Sequence, residues 1–93
     1  MFKVNQYFEG QVMSMAFENE EGKATLGIMA KGEYEFGTST IEIMTIVSGE
    51  MTVLLPSETE WKTFKAYDSF TVEKDSKFKL IIPSDCAYKC IYK

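Results

Sequence analysis

Glu42 is the residue whose setting most suggests chemistry. It stands among Ile41, Ile43, Met44 and Ile46, and a carboxylate in apolar surroundings is costly unless it is paired or put to use. The plainer alternative is a partly exposed strand charge or a structural acid paired with Lys. Just ahead of it, Thr38, Ser39 and Thr40 offer three consecutive hydroxyls. With backbone amides at a strand end, such neutral donors can hold an anion; otherwise they form a solvated turn. Tyr34 and Phe36 alternate with Glu33 and Glu35, so both rings fall on one face of an extended strand. There they could stack a planar ligand or pack into the core.

Other candidates are weaker. Trp61, Tyr88 and Tyr92 could also stack a ring, but aromatic side chains in small β-barrels are expected to fill the interior. Lys23 and Lys31 flank a strand and could reach an anion, with solvated surface as the alternative. Lys74, Lys77 and Lys79 are expected to decorate a strand edge and guard it against aggregation. Cys86 and Cys90 lie four apart. In an extended stretch their Cα atoms are roughly 13 Å apart, too far for a disulfide, whereas a sharp turn would permit one. Free thiols in a reducing compartment are the expectation.

Two absences narrow the chemistry further. There is no His, and all ten cationic side chains are Lys. That removes an imidazole base, the Ser-His-Asp and Cys-His pairs, and imidazole metal ligands. Without Arg no guanidinium fork is available for phosphate. A metal site is therefore not expected. The 14 acidic residues leave a net charge of −4, which argues against a nucleic-acid polymer as partner, although neutral nucleosides are not excluded.

The elements that must position these residues are short strands. With 93 residues, 45% hydrophobic and 26% charged, the chain is read as one domain, 1–93. Helical spacing is sustained almost nowhere, while period-two alternation recurs. Met13, Met15 and Phe17 share a face, as do Ala24, Leu26, Ile28 and Ala30. Ile41–Val47 is apolar on both faces, as in a central strand. Met51–Leu55 follows a Ser48-Gly49-Glu50 turn. Trp61–Ala66, Ser69–Val72, Lys77–Ile82 and Tyr88–Tyr92 bring the total to about nine strands. An all-β sandwich or barrel follows, with closure removing most edges. So small a shell is expected to lean on a partner, a homodimer using an N-terminal or edge strand. No signal peptide and no run near the ~20 apolar residues of a membrane span are visible, so the expected location is the cytoplasm.

The stretch Gly32–Met51, GEYEFGTSTIEIMTIVSGEM, resembles the first motif of the cupin superfamily. Glu42 and Gly49 hold the motif's Glu-to-Gly separation, while the positions of its two His fall around Glu35–Thr38. The second cupin motif falls on Tyr67–Phe78, YDSFTVEKDSKF, where its Pro-x-Gly turn and His are lacking. More specifically, NQYFEGQVMSMAF (Asn5–Phe17), MTIVSGEMTVLLP (Met44–Pro56) and the aromatic-rich end resemble the small pyrimidine/purine nucleoside phosphorylase family over essentially the whole chain. This chain departs from it where a Gly is common at Tyr67, a Pro-Gly at Glu73-Lys74, and a second carboxylate at Ile43.

The resemblance implies a single cupin-like jelly-roll (double-stranded β-helix) barrel. It also implies metal-free phosphorolysis, in which a nucleoside and inorganic phosphate give free base and ribose 1-phosphate. No cofactor is implied, phosphate being a co-substrate. On that reading Glu42 stabilises ribosyl charge or grips hydroxyls, by analogy with glycoside hydrolysis. Thr38, Ser39 and Thr40 hold phosphate, and Tyr34 and Phe36 stack the base. A non-catalytic small-molecule-binding cupin module is the alternative; a metal-dependent isomerase or dioxygenase is disfavoured by the missing His.

Overall fold

Alternation of apolar and polar residues, broken by Gly, Pro and acidic turns, produces ten strands and one 3₁₀ turn. The computed structural model describes all residues, Met1–Lys93. The strands are β1 (Val4–Tyr7), β2 (Val12–Asn19), β3 (Gly22–Met29), β4 (Gly32–Gly37) and β5 (Glu42–Ser48). They continue with β6 (Glu50–Leu54), β7 (Lys62–Lys65), β8 (Ser69–Val72), β9 (Lys77–Ile82) and β10 (Cys86–Tyr92), and Phe8–Gly10 forms the 3₁₀ turn. Two antiparallel sheets result, a six-stranded one in the order β1-β2-β3-β10-β5-β8 and a four-stranded one in the order β4-β9-β6-β7. No helix is long and apolar enough to cross a membrane.

The sheets face one another as a cupin-like β-sandwich whose edges do not join, so the closed shell expected from the strand count is not formed. The space between them is filled by side chains instead. Ile46, Met51, Val53, Val72, Leu80 and Ile82 form the centre of that core, together with Cys86 and Cys90, and each is 1% exposed or less. Both thiols are free, because β10 is extended through both of them. The turn between β5 and β6 needs its glycine. Gly49 has φ +89°, and a Cβ there would come within 3.1 Å of the Asp85 carbonyl, a position a side chain could occupy only with strain.

Two expectations are corrected, and one alternation is resolved. Met13, Met15, Leu26 and Ile28 alternate as expected, and they point away from the core, 42–60% exposed. Val12, Ser14, Thr25 and Met29 face inward in their place. Alternation marks which residues share a face without saying which face is covered. Trp61 lies exposed just ahead of β7 rather than filling the interior. Lys77 and Lys79 belong to β9, which is an inner strand of its sheet, so they stud an outer face rather than an edge. Lys79 stands opposite Glu35 there. β1, whose polar Asn5 and Gln6 conceal its alternation, pairs with β2 from Val4–Met15 to Tyr7–Val12.

Candidate active site

Between the sheets, at one end of the sandwich, lies a cup of about 170 Å³. Its apolar walls come from Met29, Phe36, Met44 and Phe78, and its polar groups from Tyr7, Ser14, Glu42, Tyr88, Cys90 and Tyr92. Three of the polar residues share one face of β10, because Tyr88, Cys90 and Tyr92 are spaced two apart on a strand. Glu42 opens β5 directly opposite Tyr92, with Val72 of β8 on its other side. The acid therefore sits on an inner strand, hydrogen-bonded on both flanks, with its side chain half-buried at the cup.

The electrostatics are those of a dry site with few partners. The Cys90 thiol donates to Glu42 Oε1 at 3.5 Å, and the second carboxylate oxygen has no partner within the protein. Burial raises the Glu42 carboxyl above the ordinary carboxylate range, and the bond from Cys90 works against that rise. Burial also pushes the Tyr88 phenol up to about 12; Cys90, Tyr7 and Glu42 add to the rise and the facing Ser14 hydroxyl opposes it. The Cys90 thiol and the Tyr92 phenol are raised too, in both cases chiefly by desolvation. Tyr92 shares a hydrogen with Thr25 Oγ1 at 3.1 Å. At neutral pH the Tyr88 and Tyr92 phenols and the Cys90 thiol are thus uncharged donors. No three His, Cys, Asp or Glu side chains come together in a metal-ligating group.

Of the residues singled out in the sequence, Glu42 and Phe36 meet at the cup. Tyr34 lies behind Phe36, at 6.3 Å between ring centroids, and its hydroxyl donates to the Ala30 carbonyl at 2.7 Å. Thr38 is buried outside the cup. Its hydroxyl donates to the Glu73 carbonyl at 2.6 Å and accepts from the Ser76 amide at 3.2 Å. It thereby pins the turn between β8 and β9 that stands where the second cupin motif would be. Ser39 is exposed and Thr40 is half-buried, with its hydroxyl donating to the neighbouring Ile41 carbonyl at 3.3 Å. Neither lines the cup. Lys23 and Lys31 are also exposed and away from it. Tyr88 and Tyr92, the weaker candidates, do line it. Tyr7, Ser14 and Cys90 also line the cup but were not singled out in the sequence, where only the polar-capable alternation Cys86-Tyr88-Cys90-Tyr92 carried a signal.

Tyr7 and Phe36 give the cup an aromatic wall, with further rings packed behind it. Phe8 and Tyr7 pack on Phe36 at 5.4 and 6.1 Å between centroids, both edge-on, and Phe8 lies 5.1 Å from Tyr34. Phe8 and Glu9 hold this position with φ of +53° and +57°, a left-handed turn that is uncommon for a bulky side chain. A second and larger concavity, about 650 Å³, lies on the outward face of the six-stranded sheet. It is floored by Met13, Met15, Leu26 and Ile28 and flanked by Val4 and Val47. Acid and hydroxyl groups reach only its margin.

Comparison with known proteins gives a uniform picture. A family model described as pyrimidine/purine nucleoside phosphorylase matches residues 2–92. A pyrimidine/purine nucleoside phosphorylase of Pseudomonas putida is 58% identical over 93 residues, covering 100% of this chain and 99% of its own. Its counterpart in Pseudomonas syringae pv. tomato is 54% identical, with both chains fully covered. Among solved structures, a Vibrio parahaemolyticus protein of unknown function superposes with a TM-score of 0.93 at 40% identity, covering 100% and 99% of the two chains. A cupin of the RmlC-like type from Shewanella frigidimarina shares the fold at 17% identity, with a TM-score of 0.72 and coverage of 97% and 81%.

Proposed function

The chain belongs to the pyrimidine/purine nucleoside phosphorylase family, and from that premise we propose that it is a pentosyltransferase working at the cup around Glu42. Phosphate attacks C1′ of a nucleoside, the C1′–N bond breaks, and its electron pair passes to the base nitrogen. That nitrogen takes up the proton released by the phosphate, giving free base and ribose 1-phosphate. Positive charge develops on the ribosyl ring in such a displacement. A carboxylate held in a low-dielectric pocket stabilises it more strongly than it would in water. The single observation that supports this reading is a half-buried acid on an inner strand, with one oxygen unpartnered and facing a cup.

The reaction needs no cation from the protein beyond placement of the nucleophile, since phosphate is already a competent one. We read the activity as independent of metal and cofactor. The test is release of free base from uridine or inosine by pure protein, with and without phosphate. Phosphate-dependent release supports the reading. Release indifferent to phosphate would make the protein a hydrolase, and no release would favour a non-catalytic binding module.

The partner set is nucleosides, phosphate and a second copy of the chain. The outward face of β2 and β3 supports the homodimer, because it exposes a contiguous apolar patch of the kind that marks an interaction site. Four of its side chains are at least 42% exposed and none is charged, so two copies with net charge −4 can meet there without opposing like charges at the centre. β1 borders this face at Val4, which is how an edge strand contributes. A cytoplasmic location fits two free buried thiols, and the acidic balance fits the absence of nucleic-acid polymer and membrane from the partners. Light scattering at micromolar concentration tests the dimer, and a monomeric mass rules it out.

A further inference from the structure

Ser14, Gly27 and Tyr88 form one row across three strands. Gly27 of β3 stands opposite Ser14 of β2 on one side and Tyr88 of β10 on the other. The missing side chain matters: a Cβ at Gly27 would fall 2.7 Å from both Cζ and the hydroxyl of Tyr88. The tyrosine ring therefore lies across the glycine, and Tyr88 and Ser14 both line the cup.

These two hydroxyls are unusual in having capacity to spare. Ser14 and Tyr88 are only 5% and 6% exposed, and neither side-chain hydroxyl has a hydrogen-bond partner in the protein. No fully enclosed side-chain oxygen in the molecule lacks a partner, so both oxygens open onto the cup. Two hydroxyls carry two hydrogens and several lone pairs, none of them used within the protein, and all are left for a guest. A buried tyrosine with a purely structural role would either be fully bonded or be replaced by Phe without loss.

The size of the cup says which part of the guest they meet. A cavity of about 170 Å³ is close to the ~150 Å³ that encloses one six-membered ring. The bases of purine and pyrimidine nucleosides differ between two rings and one, whereas the pentose ring is common to all. The enclosed part is then the sugar, whose hydroxyls suit a floor of hydroxyls and an acid. The base remains at the aromatic wall formed by Tyr7 and Phe36, where stacking accepts any ring.

We propose that Ser14 and Tyr88, set side by side across Gly27, are a sugar-hydroxyl clamp that makes the pentose, rather than the base, the group this protein recognises. The inference rests on the phosphorylase reading for its substrate. Its test compares Tyr88→Phe and Ser14→Ala, both near-isosteric, with the parent protein on uridine and inosine. Folding of each variant is checked by circular dichroism and thermal melting. The expected result is a loss of about tenfold in kcat/KM, carried mainly by KM and equal within about twofold for the two nucleosides. A loss confined to one nucleoside would mean that the hydroxyls read the base and would overturn the proposal, as would unchanged kinetics in folded variants. Binding of methyl β-D-ribofuranoside, followed by protein NMR shifts, gives a readout independent of turnover. Binding by the parent and its loss in Tyr88→Phe supports the clamp even if no base is released, in which case only the phosphorylase reading fails. A ribofuranoside that does not bind the parent protein overturns the clamp whatever the turnover.

Discussion

The six-stranded sheet carries a concavity on each side, and the two differ in kind. The outer one is about 650 Å³, wide and almost wholly apolar; the inner one is about 170 Å³ and holds an acid, a thiol and four hydroxyls. Size and greasiness favour the outer face, yet its few polar side chains, Gln11, Ser14 and Asp85, stand only at the margin. The inner cup has polar atoms with unused hydrogen-bonding capacity in a dry setting, where each is worth most. The lesson is that unsatisfied polarity under cover marks a site for chemistry, while uncovered apolarity marks a site for another protein.

The difference can be broken from either side. The largest effect is expected on the outer face, where Leu26→Glu puts a charge at the centre of the proposed dimer contact. Self-association should weaken by 100-fold or more, at least ~2.7 kcal/mol, as measured by light scattering across a dilution series, with turnover per chain unchanged within about twofold. A dimer that survives this change would remove the outer face from the interface. Next comes Gly27→Ala, which forces a Cβ into Tyr88 and to within 2.8 Å of the Met13 carbonyl. Overpacking of this kind costs about 1–3 kcal/mol, to be read from urea unfolding, and it should depress activity as Tyr88→Phe does.

Glu42→Gln tests the inner cup directly. Turnover should fall at least tenfold, or ~1.4 kcal/mol on the barrier, while the mass of the assembly stays the same; full turnover in a folded variant would exclude Glu42 from the site. The same substitution has an opposite effect on stability. Because burial raises the Glu42 carboxyl, its contribution to folding is fully present below the ordinary carboxylate range and is lost as pH rises through the folded-state value. Melting temperatures of parent and variant should therefore converge near pH 4 and separate towards pH 7, where the variant is the more stable. A difference that does not vary with pH would show that the carboxyl pays no penalty for burial. The smallest effect lies outside both concavities. Tyr67 is highly exposed and has φ +75°, in a position where glycine carries no steric strain. Tyr67→Gly should stabilise by up to about 1 kcal/mol without touching activity; destabilisation would mean that the ring makes a contact that matters.

Much of the fold was legible because its signals are local. Ser69–Val72 and Lys77–Ile82 form strands with the expected bounds, and Ile41–Val47 is shifted by one residue. Glu42 and Phe36, which line the cup, stood out in the sequence because an acid in an apolar strand and a ring on an alternating face are visible in a few residues of context. Thr38 was misleading for the same reason: its hydroxyl looks free beside Ser39 and Thr40, yet it is occupied by Glu73 and Ser76 from the β8–β9 turn.

The order of residues determined by itself that the chain forms short strands, that histidine and arginine chemistry is closed to it, and that an acid stands among aliphatic residues on an inner strand. These follow from residue type and period, which act over a few neighbours. Only the tertiary structure decided which side of β2 and β3 is covered, and that Ser14, Gly27 and Tyr88 share a row. Burial and cross-strand register are set by how two sheets pack, an arrangement made of contacts between residues remote along the chain.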